Sequence, residues 1–138
     1  MDLMKKLKDQ YETGMLLITH DLGIVADICD NVAVMYAGRI VEQGTLREVF
    51  TNTLHPYTEG LFNSLPNISN RKAKLIPIPG MMPSPAALPQ GCAFASRCRY
   101  ACEACRKELP FLMPKEGTHQ VACLAYRNTE FKLERNQT

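Results

Sequence analysis

The stretch "NVAVMYAGRIVEQGTLRE", residues 31–48, contains three local signals that together decide the fold. "NVAVMY" is an apolar run of strand length, and "RIVEQ" is a second run with more alternation. Ala37 and Gly38 join them, which predicts a β-hairpin, although Ala-Gly is a weaker turn signal than Asn-Gly. "TLRE" has the spacing of a capping box, in which Thr45 caps a helix and Glu48 reaches back to the cap amide.

The residues before this stretch predict a helix, a strand and a second helix. Leu3, Leu7 and Tyr11 recur four apart, which places one apolar stripe on a helix. "MLLIT", residues 15–19, is a continuous apolar run, as expected for a strand buried on both faces of a parallel sheet. Asp21 can cap the helix that follows. This order of elements predicts an α/β layer fold with a mixed sheet.

The character of the chain changes after residue 65. Residues 66–91 contain six prolines, so an extended crossing is expected there rather than a long regular element. A cysteine-rich segment follows. The last twelve residues, 127–138, are polar and are expected to fray.

The composition excludes several classes of protein. An apolar fraction of 46% and a charged fraction of 22% are typical of a globular chain, and the net charge of +2 gives no electrostatic argument for nucleic acid as a partner. No apolar stretch approaches the ~20 residues that span a bilayer, and the first residues do not form a secretory signal. The expected compartment is therefore the cytoplasm, where stable disulfides are rare.

His20 is the first candidate for chemistry. It lies just past the carboxyl end of the predicted strand at residues 15–19, and this edge is where open α/β sheets bind ligands. A neutral imidazole there can donate to a phosphate oxygen, but a half-buried structural histidine is an equally valid interpretation. His55 and His119 have no such placement and are expected to be structural or on the surface.

A longer run of residues resembles a known family. "LLITHDLGIVADICDNVAVMYAGRIVEQG" resembles the end of the nucleotide-binding domain of ABC transporter ATPases, from the switch-histidine loop onward. "LHPYTEGLFNSLP", "MMPSPAALPQGC" and "CAFASRC" resemble the C-terminal extension of its oligopeptide/dipeptide-importer branch. The resemblance implies an α/β fold, with residues 1–65 as the C-terminal part of the ATPase domain and residues 66–138 as a small, irregular, Cys-rich extension.

The resemblance also implies a function. The chain would be part of the ATP-binding subunit of an importer that couples ATP hydrolysis to the uptake of oligopeptides or dipeptides, with nickel or another small solute as an alternative substrate. Its partners would be membrane permease subunits and a second ATPase subunit, at the cytoplasmic face of the membrane. His20 would be the catalytic residue and would contact the γ-phosphate of ATP and the attacking water. Asp21, in the same loop, would be a second cofactor-binding residue and would also contact the dimer partner.

Three motifs of that family are missing from these 138 residues. The chain has no G-x-x-x-x-G-K-[ST] loop to bind the phosphates, no acidic Walker B strand end to hold Mg²⁺ and no signature loop. The chain is therefore expected to be the C-terminal part of a longer ATPase, and is not expected to hydrolyse ATP by itself. ATP and Mg²⁺ would need the missing part.

Five cysteines have the spacing C-x5-C-x3-C-x2-C-x17-C, and a sixth, Cys29, is expected to be a small core residue. The residues alone leave three interpretations open: disulfides, core cysteines, or thiolate ligands of a metal whose charge nearby arginines offset. Zinc prefers two C-x2-C knuckles, and this chain has only one, Cys102–Cys105. An iron–sulfur cluster accepts looser spacing.

The family resemblance implies a ligand set. Members of the importer branch have a C-x5-C-x6-C motif and a distant fourth cysteine, which resembles a [4Fe–4S] site. This motif maps onto Cys92, Cys98, Cys105 and Cys123, with Cys102 as an alternative to Cys105. A second hypothesis for the whole chain is a stand-alone iron–sulfur or zinc-binding interaction module without ATPase activity.

Overall fold

The computed structural model describes residues 6–7, 10–11, 13–65 and 76–134. The chain divides into two compact units, residues 1–30 and residues 31–138. In the first unit, residues 6–7 and 10–11 are helical, and helix α1 spans Leu22–Ile28. Asp21 caps α1 as predicted, because its Oδ1 accepts hydrogen bonds from the N–H groups of Gly23 and Ile24.

The strand predicted at residues 15–19 is absent, which is a correction. The segment has no regular structure, and the side chains of Leu16 and Ile18 are 91% and 90% exposed. A strand is stable only where a neighbouring strand satisfies its backbone hydrogen bonds, and the described part of residues 1–30 contains no strand. The described residues therefore contain no parallel strand pair, so the prediction of a mixed sheet is wrong for them.

The predicted hairpin is confirmed in the second unit. Strands β1 (Asn31–Tyr36) and β2 (Arg39–Thr45) pair antiparallel, with Tyr36 opposite Arg39. Ala37 and Gly38 both have left-handed backbones, with φ values of 48° and 77°. A two-residue hairpin loop prefers this geometry because it matches the twist of the strands, and Gly38 adopts it without strain.

Two helices follow the hairpin, α2 (Leu46–Thr51) and α3 (Pro56–Asn63). The predicted capping box of α2 is confirmed, because Thr45 Oγ1 accepts from the Glu48 N–H and a Glu48 carboxylate oxygen accepts from the Thr45 N–H at 2.7 Å. Hydrogen bonds from Thr118 and Thr45 lower the pKa of Glu48 to about 2. Glu48 therefore links the start of α2 to a loop 70 residues away.

Two further strands, β3 (Met113–Pro114) and β4 (Gln120–Val121), each contain only two residues. Among the described residues, the sheet has four strands in the order β1-β2-β4-β3, and every pairing is antiparallel. Because β4 pairs with β2, the cysteine-rich segment extends the sheet of the hairpin. The predicted domain boundary at residues 65/66 stays a prediction.

The rest of the second unit is built from short pieces: helix α4 (Glu103–Lys107) and 3-10 turns at Ala95–Arg97 and Leu124–Arg127. Residues 76–90 contain no helix or strand. The largest core cluster joins the hairpin, α2 and the first of these turns; its buried members are Val34, Tyr36, Val41, Val49 and Phe94.

The expectation that the tail frays is wrong for residues 127–134. Leu133 is fully buried, and the ring of Phe131 meets the rings of Tyr100 and Tyr126 edge-on. Residues 135–138 lie outside the described residues. None of the helices in the described ranges has both the length and the apolar character that crossing a bilayer requires.

Candidate functional site

His20 is exposed and lies directly before the cap of α1. The loop around it is ordered by its neighbours, because Thr19 Oγ1 accepts a hydrogen bond from the Asp21 N–H at 3.1 Å. Asp21 uses its Oδ1 to cap the helix. The imidazole is thus accessible to a ligand, whereas one carboxylate oxygen of Asp21 already has a structural role.

Four cysteines that are distant in the sequence line one pocket of the second unit: Cys92, Cys98, Cys105 and Cys123. They come from three pieces of the chain. Cys92 precedes the 3-10 turn Ala95–Arg97 and Cys98 ends it, whereas Cys105 is on α4 and Cys123 follows β4. The structure thus brings together the set that the family motif implies.

The thiol of each of these four cysteines is held in its neutral form. Burial raises the pKa of Cys98 to about 11 and the pKa of Cys123 to about 12, and it also raises the pKa values of Cys92 and Cys105. An apolar wall disfavours a thiolate because it cannot solvate the charge. Burial therefore favours the protonated form of each thiol in this pocket.

Two of the arginines near the cysteines, Arg97 and Arg99, have hydrogen-bond or ion-pair partners outside the thiol pocket. Arg97 donates to the carbonyls of Pro79 and Ile78 and to the Tyr36 hydroxyl. Arg99 pairs with Glu134 at the surface and stacks on Tyr100. The charge of Arg99 is thus paired with a carboxylate, whereas Arg97 keeps its charge because its partners are neutral oxygens.

The structure does not support the predicted [4Fe–4S] cluster. Across the described ranges, no group of three or more His, Cys, Asp or Glu side chains is arranged to hold a metal ion. The pocket has a volume of about 10 Å³, which is at the lower limit for one water molecule. Four thiols are a suitable set of donors for an iron–sulfur cluster. The pocket in this structure is too small for such a cluster, and burial disfavours the thiolate form of the cysteines.

The two remaining cysteines, Cys29 and Cys102, do not line this pocket. Cys102 is exposed at the start of α4, and its Sγ is 3.5 Å from the Sγ of Cys105. Hydrogen bonds from the Cys105 backbone and side chain lower the pKa of Cys102. Cys29, expected to be a core residue, is half-buried at the end of α1. All six cysteines are free thiols.

A buried polar network adjoins the pocket, and no sequence pattern predicted it. Glu42, in β2, is fully buried and accepts hydrogen bonds from the N–H groups of Leu54 and His55, at 2.7 and 2.9 Å. His119 Nε2 lies 2.8 Å from the same carboxylate. This carboxylate therefore holds together β2, the start of α3 and the loop before β4.

His55 connects this network to the thiols, because its ring lines the same pocket. Its Nδ1 accepts from the Tyr57 N–H at 3.0 Å, so it is the cap of α3. Burial lowers the pKa of His55 to about 4, and the nearby Glu42 opposes that effect without reversing it. The imidazole is therefore neutral near pH 7. The His-Pro pair is a sequence signal for this cap, because proline is favoured at the first helical position.

Comparison with known sequences shows which proteins this chain is similar to. Residues 41–105 match the family described as the oligopeptide/dipeptide transporter, C-terminal region. The chain is 48% identical to a peptide import ATP-binding protein of Brucella ovis, in an alignment that covers 92% of the chain and 39% of that protein.

Two further relatives agree with this result. The oligopeptide transport ATP-binding protein OppD of Salmonella typhimurium is 46% identical, over 80% of the chain and 33% of its own length. AppD of Bacillus subtilis, also an oligopeptide transport ATP-binding protein, is 44% identical, over 91% of the chain and 38% of its own length. The chain thus spans about two fifths or less of the curated relatives it matches, and its predicted resemblance to them is confirmed.

Proposed function

We propose that this chain, a relative of the ATP-binding proteins of peptide ABC importers, supplies the C-terminal part of such a subunit, which couples ATP hydrolysis to peptide uptake. The observation that carries the proposal is its 48% identity to a peptide import ATP-binding protein, over 92% of the chain. The names of the relatives favour this function over a stand-alone metal-binding module. Peptides are the proposed substrate, with nickel or another small solute as the alternative.

The proposed assembly places the chain at the cytoplasmic face of a membrane, as a peripheral subunit. Its proposed partners are permease subunits and a second ATPase subunit. Asp21 is the proposed contact to that second subunit, through the carboxylate oxygen that does not cap α1. Peptide would be handled by the permease and would reach this chain only through its effect on the permease.

His20 is the residue of this chain that we assign to ATP. Its exposure and its place before a capped helix support a role as a donor to the γ-phosphate and the attacking water. The chain has no phosphate-binding loop and no Walker B carboxylate, so the remaining contacts to ATP and Mg²⁺ would come from other parts of the complete subunit. His20 thus contributes one positioned donor to a site that other residues complete.

The ATPase activity of the complete subunit tests this role. A hydrogen bond to a charged group contributes about 1.5–3 kcal/mol, so His20→Ala is expected to lower kcat roughly 10- to 150-fold. Exposed Glu103, in the other unit, provides a control, since Glu103→Gln should leave kcat unchanged. The isolated 138 residues are expected to hydrolyse no ATP. An unchanged rate in the His20 variant would exclude the contact.

The upstream coding sequence tests the assignment of the chain itself. An in-frame phosphate-binding loop followed by a signature loop is the expected finding. A stop codon in frame immediately upstream of Met1 would contradict the proposal, and would instead favour a separate small protein.

A second proposal concerns Cys92, Cys98, Cys105 and Cys123 as ligands of a [4Fe–4S] cluster. What supports it is that these four thiols line a common pocket although Cys92 and Cys123 are 31 positions apart in the sequence. The small volume of the pocket and the raised pKa values of its buried thiols oppose it. Binding would require the thiols to lose their protons and the pocket to widen. Zinc is the alternative for the same ligands.

Anaerobic purification followed by iron and sulfide analysis tests this second proposal. The expected content is about four iron atoms per chain, with visible absorbance. Cys98→Ser should abolish iron binding, whereas Cys29→Ser, in the other unit, should not change it. A colourless, iron-free protein with six titratable thiols would exclude the cluster and leave the transporter assignment untouched; zinc in its place would identify the alternative.

A further inference from the structure

Cys102 and Cys105 form a pair of thiols that neither the ATP chemistry nor the four-cysteine pocket explains as a pair. Their Sγ atoms are 3.5 Å apart, which is contact distance. The two side chains differ in access to solvent, because Cys102 is exposed whereas Cys105 is only 7% exposed. A reagent in solution can therefore reach the Cys102 thiol, and the Cys105 thiol contacts it from the buried side.

The backbone around Cys105 is held in place from several sides. The Cys92 N–H donates to the Cys105 carbonyl at 2.8 Å, and the Cys105 N–H donates to the Cys102 carbonyl at 3.1 Å. The Cys105 side chain packs among Ala95 and Leu124. The inner thiol is thus fixed, whereas the outer thiol can rotate at the surface. An S–S bond is about 2.05 Å long, so the sulfurs need to approach by about 1.5 Å, which rotation of the exposed Cys102 side chain can supply.

We propose that Cys102 is a thiol-modification site for low-molecular-weight disulfides, such as oxidised glutathione, and that Cys105 resolves the adduct to form a reversible Cys102–Cys105 disulfide. The contact between an outer and an inner thiol carries this inference. Disulfides of this kind in a reducing compartment are transient, and C-x2-C pairs are the common arrangement for them.

The reaction has two exchange steps. The Cys102 thiolate attacks one sulfur of the reagent, an S–S bond to Cys102 forms, the S–S bond of the reagent breaks, and one thiolate leaves. The Cys105 thiol then loses its proton to solvent, and the resulting thiolate attacks the Cys102 Sγ and expels the second thiolate. The two protein thiols lose two electrons, the reagent gains them, and the two thiol protons end on the two released thiols.

The product has a consequence for the thiol pocket. Cys105 is one of its four cysteines, so the disulfide would remove one thiol from that set, whereas Cys92, Cys98 and Cys123 would stay reduced. If the pocket binds a metal, as proposed above, oxidation and metal binding exclude each other. The disulfide itself does not depend on that proposal, because it needs only the metal-free chain.

Peptide mapping can identify this disulfide without ambiguity. Trypsin cuts after Arg99 and Arg106, so Cys102 and Cys105 fall in one peptide, "YACEACR", that contains no other cysteine. The metal-free 138-residue chain is incubated with graded mixtures of oxidised and reduced glutathione, quenched with acid, alkylated and digested. The expected product is this peptide with two hydrogen atoms fewer and no alkyl groups. In the folded chain, half-formation should need roughly tenfold less oxidised glutathione than in urea, because folding holds the thiols together.

Variants separate the two roles. Cys105→Ser, with Cys105→Ala as a second form, should trap one glutathione on Cys102. Cys102→Ser should leave Cys105 unmodified, and Cys29→Ser should change nothing. A persistent glutathione adduct on the unsubstituted peptide, a cross-link from this peptide to another cysteine peptide, or equal modification of Cys105 in the Cys102→Ser chain would each overturn the proposal. None of these outcomes bears on the transporter assignment.

Discussion

Glu42→Gln is expected to lower the free energy of unfolding of the second unit by about 3 kcal/mol. The carboxylate of Glu42 is fully buried and accepts from two backbone N–H groups, those of Leu54 and His55, with His119 Nε2 at 2.8 Å. An amide of the same size provides one oxygen and one NH₂ group. Whichever way it turns, the NH₂ group faces at least one backbone donor, so a buried donor stays unsatisfied.

Urea unfolding of the 138-residue chain, followed by far-UV circular dichroism, measures this effect. The matched control is Glu108→Gln, because the carboxylate of Glu108 pairs with Arg127 at 2.6 Å on the surface. An exposed ion pair contributes about 0–1 kcal/mol, so the control should unfold close to the unsubstituted chain. Equal midpoints for the two variants would show that the buried carboxylate is not what connects β2 to α3.

The elements that the sequence predicted correctly depend on residues close to one another in the chain. The hairpin follows from two apolar runs and a two-residue loop, and the capping box connects Thr45 to Glu48, three residues later. The Asp21 cap has the same short range. In each case the element begins at a turn or cap of a few residues, so the residue types there decide the geometry.

The prediction of a buried strand at residues 15–19 failed because it depended on partners. An apolar run shows that a segment prefers burial, but the strand also needs neighbouring strands to receive its backbone hydrogen bonds. Glu42 is a buried residue for which the sequence yielded no prediction. At an alternating position of β2 a glutamate is expected to face solvent, yet it is buried because His119, 77 residues later, and the N–H groups before α3 surround it. No local pattern encodes such a contact.

The cysteines show how far a family motif can be followed. The motif selected Cys92, Cys98, Cys105 and Cys123, and the fold places these four around one pocket. The spacing of the cysteines does not predict their pKa values, which depend on burial. It also does not predict the partners of the arginines: Arg97 donates to a backbone carbonyl and Arg99 pairs with Glu134. The ligand set remains a proposal because a donor pattern does not determine the size and charge of its pocket.

Gly91→Ala is the second substitution for which we expect a large effect, a loss of about 2–4 kcal/mol in the free energy of unfolding. A Cβ at Gly91 would lie 2.4 Å from the Cys105 carbonyl oxygen, and 2.6 and 2.7 Å from the carbonyl carbon and oxygen of Arg106. All three atoms belong to the backbone, so no side chain can rotate away. The segments must separate, which breaks the hydrogen bond from the Cys92 N–H to the Cys105 carbonyl.

Two measurements distinguish this local separation from general destabilisation. Urea unfolding gives the loss in stability, with Gly14→Ala as the matched control because no atom lies within 4 Å of a Cβ there. Alkylation under native conditions gives the local effect: Cys92 and Cys105 should react faster in Gly91→Ala, whereas the rate at Cys29, in the other unit, should not change. Because the carbonyl that Gly91 approaches belongs to Cys105, the same substitution should also weaken the Cys102–Cys105 disulfide. If stability fell while the reactivity of Cys92 and Cys105 stayed constant, the close approach at Gly91 would not be what holds the thiol pocket closed.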